Sequence, residues 1–70
     1  MEWISVKERL PLSSGRYLFY GDEYFTPDHI GDINHYKTIK AGYWLFGDPP
    51  WVGNMQFTHW MPLPEPPKED

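Results

Sequence analysis

Apolar and aromatic residues fall in short runs along this chain, separated by clusters of glycine, proline, asparagine and aspartate. That spacing predicts short strands joined by turns. The first run, Trp3-Ile4, leads into Ser5-Val6-Lys7-Glu8. The Ser-x-x-Glu spacing predicts a capping box, with Ser5 accepting from the backbone N–H of Glu8 and Glu8 reaching back to the N–H of Ser5. Pro11 biases Leu10 away from helix, so one or two helical turns are expected, anchored by Trp3 and Leu10.

Residues 16–20 (RYLFY) read as a strand, and Gly21-Asp22 as a two-residue hairpin turn. Residues 23–26 form the returning strand until Pro27 stops it, and 28–34 form a loop. Strand pattern resumes over 35–46, with Lys37, Ile39 and Ala41 on one face and Tyr36, Thr38 and Lys40 on the other. Gly42 is expected as a bulge or bend that turns residues 43–46 against the sheet. Gly47-Asp48-Pro49-Pro50 ends that element. A last strand over 54–60 would set Met55, Phe57 and His59 against Gln56, Thr58 and Trp60. From Pro62 onward the chain should leave the sheet in an extended, polyproline-like form. The predicted fold class is mainly β with a minor α contribution: an antiparallel meander of three to four strands, a short N-terminal helical turn and a Pro-rich tail.

Seventy residues predict a single domain, with its core over about 3–64 and a frayed tail at 65–70. A chain this short buries only about 60% of the surface its unfolded form exposes. With no cysteine, neither disulfides nor a thiolate zinc site can staple it. Four Trp, five Tyr and four Phe supply the bulk instead, and they exceed what one small core hides. Surplus rings on a surface mark an interface or ligand site and point to self-association as a homo-oligomer. A net charge of −4 argues against sequence-independent binding of duplex nucleic acid. Without an apolar run of membrane-spanning length or a signal-like N-terminus, the expected location is the cytoplasm.

The two termini together carry a resemblance. WISVKERLP at residues 3–11 and THWMPLPEPP at 58–67 resemble the phage and prophage family catalogued as domain of unknown function 551. The resemblance covers the first twenty and last thirteen residues, and includes the apolar strand at Tyr17 to Tyr20. It implies a small protein encoded by phages or bacterial prophages, and it implies no reaction. The middle, from Gly21 to about Gly53, matches no such motif, and a specific activity is expected there.

Four sets of residues carry candidate chemistry. His59 could serve as a general base, but alternation sends Thr58 and Trp60 to the opposite face, so a structural histidine is the favoured reading. Asp28, His29, Asp32 and His35 hold metal-ligating groups, yet their spacing fits no standard site, and no metal or other cofactor is expected. Pro64-x-x-Pro67 satisfies a minimal groove-docking pattern. The favoured alternative is a structural clasp in which Trp3, Leu10, Trp60, Pro62 and Pro64 bring the two ends together. Last come the aromatic and cationic residues Arg16, Tyr24, Phe25, Tyr36, Lys37, Lys40, Tyr43, Trp44 and Trp51, able to stack on bases and meet phosphates.

With no catalytic constellation, the leading expectation is a non-enzymatic binding protein acting on host defence or host machinery, in one form by sequestering a nucleotide-type signal. The alternative is an acidic module that binds a host protein. A small metal-dependent hydrolase using the three histidines ranks last.

Overall fold

Eleven-residue strands β2 (Gly15–Phe25) and β3 (Asn34–Trp44) pair antiparallel without a break, from Gly15 opposite Trp44 to Phe25 opposite Asn34. In the computed structural model, which describes residues 2–26, 31 and 33–64, three further strands complete the sheet. They are β1 (Ile4–Ser5), β4 (Trp51–Val52) and β5 (Met55–Pro62). β5 lies along the edge of β2 opposite β3, and β1 and β4 sit end to end on its far side. The mainly-β, antiparallel class is as the strand pattern predicts. The order is not a simple meander, because β5 returns past the β2–β3 pair to the other edge. Among the described residues no helix is long and apolar enough to cross a membrane. The tail at 65–70 lies outside the described residues.

Tertiary pairing displaces the expected helical start. Ile4 and Ser5 pair with Trp60 and His59. A single turn follows, in which the Glu8 and Arg9 N–H groups both donate to the Ser5 carbonyl, at 2.9 and 3.2 Å. Ser5 Oγ accepts from Lys7 N–H at 3.1 Å, in place of the expected Glu8. One turn of helix is a poor competitor, since nucleation costs more than its few bonds return.

Gly21-Asp22 is not a hairpin turn. Both residues lie mid-strand in β2, and Gly21 is buried. A Cβ there would sit 2.2 Å from the Gln56 carbonyl oxygen and 2.5 Å from Phe57 Cα, so the backbones approach too closely for any side chain. At the same point the β2–β5 register shifts: Tyr20 faces His59 but Gly21 faces Phe57, which leaves Thr58 as an extra residue in β5. This bulge reverses the expected alternation. Met55, Phe57 and Trp60 are all buried, and His59 passes to the opposite face. Gly42 likewise is neither bulge nor bend. The β2–β3 register runs straight through it, and its missing side chain makes room for Val52, whose Cγ1 lies 2.9 Å from where a Cβ would stand.

The core lies on the inner face of the curled sheet, where Phe19, Trp44, Met55, Phe57 and Trp60 cluster. Phe19 and Phe57 pack at 4.5 Å between ring centroids, and Tyr17 meets Trp60 edge-on at 5.4 Å. Burying each such side chain contributes roughly 1.5–3 kcal/mol. Both buried indoles satisfy their N–H groups: Trp44 donates to the Pro49 carbonyl at 3.0 Å and Trp60 to the Arg9 carbonyl at 2.9 Å. The first bond ties down the segment that crosses from β3 to β4. The second bond, with the β1–β5 pairing, joins the two ends of the chain. Pro62 closes β5 opposite Tyr17, Leu63 is half-buried and Pro64 is exposed.

Candidate functional site

Strand alternation fixes what the outer face presents. Opposite the core, β2 offers Arg16, Leu18, Tyr20, Asp22 and Tyr24, and β3 offers His35, Lys37, Ile39, Ala41 and Tyr43. Tyr20 is central. It stands in register with Ile39 on one side and His59 on the other, and Trp3 approaches it from just before β1.

These four side chains line a depression of about 300 Å³. The Trp3 and Tyr20 rings are 6.1 Å apart and tilted by 52°, forming an open wedge, and the His59 ring lies 6.0 Å from Tyr20. A second depression, about 460 Å³, shares Tyr20 and His59 and adds the polar residues Ser5, Lys7, Lys37 and Thr58, with Val6. The two adjoin at Tyr20 and His59, and together they are called a cleft, with an aromatic half and a cationic half. Lys37 Nζ lies 5.8 Å from the Tyr20 ring and 3.1 Å from Asp22 Oδ2. Asp22 also meets His35 Nδ1 at 3.4 Å. The Lys37 hydrogen bond, opposed by partial desolvation and aided by His35, holds the Asp22 carboxyl below its usual value of 3.8.

Thr58 occupies the bulge and serves both strands. Its Oγ1 donates to the Tyr20 carbonyl at 3.3 Å and lies 2.8 Å from His59 Nδ1. Simple alternation places Thr58 and His59 on opposite faces; the bulge makes them neighbours. Its carbonyl accepts from Val6 N–H at 2.9 Å, so the β1 segment and the cleft wall are tied together.

The residues singled out from the sequence are distributed over the molecule. Lys37 lies in the cleft, and Trp3 of the expected clasp forms its wall. Tyr24, Phe25 and Trp51 meet elsewhere, around a depression of about 280 Å³ that also includes Ile33. There Trp51, Tyr24 and His35 stand in a row at 5.6 and 5.4 Å, with tilts of 32° and 36°. Tyr36 packs edge-on to Phe25 at 5.7 Å. Lys40 reaches Glu23 at 3.6 Å. Arg16 and Tyr43 face each other across β2 and β3 at the far end of the outer face. Trp44, only 2% exposed, belongs to the core. Of the clasp set, Leu10 packs against the core and Trp60 lies within it, under the Arg9 guanidinium at 5.9 Å. Asp28, His29 and Asp32 lie outside the described residues. Among those described, no three His, Asp or Glu side chains converge on a metal-sized site.

The sequence reading did not single out Tyr20, Ile39, Lys7, Ser5 or Thr58 as ligand-facing, and it took His59 for a structural residue. Only strand register could have grouped them. A family model described as "Protein of unknown function (DUF551)" matches residues 2–68. No curated protein and no solved structure matches the chain.

Proposed function

The chain belongs to the DUF551 family of proteins of unknown function, and from that premise we propose that it is a non-enzymatic binding protein that holds a nucleotide-type ligand on the outer face of its sheet. In this reading it is encoded by a phage or prophage and acts in the host cytoplasm, where sequestering a signal would blunt host defence. One observation carries the proposal: Trp3, Tyr20 and His59 share a cleft with Lys7 and Lys37. Rings of this kind stack on bases for roughly 1–3 kcal/mol each, and lysines meet phosphates.

Calorimetric titration against cyclic oligonucleotides and ADP-ribose derivatives tests it. Binding should release heat and quench Trp3 fluorescence, and a panel without heat would sink the proposal. A second reading, an acidic module that docks on a host protein, is favoured by the exposed Ile39 and Tyr43 on the same face. A stoichiometric host protein recovered in a pull-down would support that alternative.

Self-association belongs to the proposal too. β3 is a long sheet edge without proline, its Lys37 and Lys40 are paired to Asp22 and Glu23 of the same chain, and its outer edge has no strand partner among the described residues. Such an edge is a template for a second copy. Sedimentation of the purified protein should give more than the monomer mass of 8.3 kDa.

A further inference from the structure

Resting on the nucleotide reading above, we infer that the cleft takes a ligand in two parts: a ring that donates a hydrogen bond to His59, and an anionic group placed between Lys7 and Lys37.

The donor requirement follows from counting protons. The Thr58 hydroxyl has one. Its Oγ1 contacts the Tyr20 carbonyl oxygen at 3.3 Å and His59 Nδ1 at 2.8 Å. A carbonyl oxygen can only accept, so both contacts are hydrogen bonds in one arrangement alone. Thr58 donates to Tyr20, and Nδ1–H of His59 donates to Thr58. A neutral imidazole with its proton on Nδ1 carries a bare lone pair on Nε2. Nε2 has no partner among the described residues, and no buried side-chain nitrogen or oxygen lacks one, so Nε2 is open to solvent, on a ring that lines both depressions. The bulge at Thr58 thus holds an acceptor toward the ligand beside the aromatic wedge.

The anionic half follows from charge. Lys7 has no carboxylate partner among the described residues. Lys37 shares its charge with Asp22, which keeps the ammonium over the Tyr20 ring. An anion entering from the Lys7 side meets one unshared cation and the flank of a second, with the Ser5 and Thr58 side chains at the same depression. The aromatic half is bounded by Trp3, Tyr20 and Ile39, which suit a flat ring. The two depressions share Tyr20 and His59, so ring and anion must be joined by a short linker. A mononucleotide has that form.

Three probes separate the parts: adenosine 5′-monophosphate, adenosine, and purine riboside 5′-monophosphate, which lacks the exocyclic amine. Calorimetry should find adenosine 5′-monophosphate about tenfold tighter than either of the others, as loss of one well-made polar contact implies. His59→Phe keeps a ring and removes the acceptor. It should erase the preference for the amine while the preference for phosphate persists. Lys7→Ala should do the reverse, with circular dichroism confirming that both variants fold. Equal affinity for all three probes overturns the two-part assignment and leaves the wider binding reading standing. So does adenosine 5′-monophosphate failing to bind where a larger nucleotide binds. Absence of binding by every nucleotide overturns both.

Discussion

On its inner face the sheet buries Phe19 and Phe57 to 0% and 1% exposure, whereas on the outer face of the same sheet Ile39 and Tyr43 remain 57% and 59% exposed. Both faces are rich in large apolar side chains, so composition does not separate them. Chain path does. After Trp44 the segment 45–50 crosses the inner side, pinned by the Trp44 bond to Pro49, and β4 brings Val52 onto Gly42. On the outer face Trp3 packs beside Tyr20 and Met61 is buried opposite Leu18, while Ile39 and Tyr43 stay open. The described residues close one core and leave Ile39 and Tyr43 of the other face exposed, as residues at a contact surface would be.

That contrast can be broken most severely from the inside. Gly21→Ala forces a Cβ into the backbone of Gln56 and Phe57, and should cost about 3 kcal/mol or more. For a domain this small, urea denaturation should find little native protein left. Phe19→Ala should cost about 3–5 kcal/mol by the same measurement. Trp60→Phe retains most of the packing but deletes the bond to the Arg9 carbonyl, leaving that acceptor unpaired. A loss of about 1–2 kcal/mol is expected, and no loss would mean that the joining of the two ends contributes little.

On the outer face the effects shrink. Asp22 has a folded-state pKa below 3.8, so its ion pairing contributes stability above that value, and the contribution is lost as the pH falls through the depressed pKa. The melting temperature of the native protein should therefore drop faster than that of Asp22→Asn as the pH is lowered below about 4. A parallel pair of curves would contradict the salt-bridge geometry. Tyr43→Ser should move stability by no more than about 0.5 kcal/mol, despite removing an entire ring. If it costs as much as Phe19→Ala, the outer face is covered, and the distinction between the faces fails.

Much of the fold is legible in the residues. The expected strand with Lys37, Ile39 and Ala41 opposite Tyr36, Thr38 and Lys40 matches β3 in its alternation, but β3 ends at Trp44, two residues before the expected Phe46. Gly21-Asp22 lies between two apolar runs and carries the signature of a tight hairpin, which the structure does not form there. Nothing local distinguishes a glycine needed for a turn from one needed for close approach of another strand. The cleft was less legible still. Its central residues, Tyr20, Ile39 and His59, are 19 and 20 residues apart in sequence and become neighbours only as register partners.

The sequence by itself determined the strand-rich antiparallel class, the face alternation of β3, and the end of β5 at Pro62. These depend on backbone preference, on period-two alternation and on proline's missing N–H, all properties of a few adjacent residues. Only the tertiary structure decided which face of β5 each side chain occupies. One extra residue at Thr58 turns His59 outward and Trp60 inward, and the need for that residue arises where β5 crosses Gly21 of a strand far away in the chain. Since a single bulge reverses every position beyond it, the outer cleft is a product of pairing rather than of pattern.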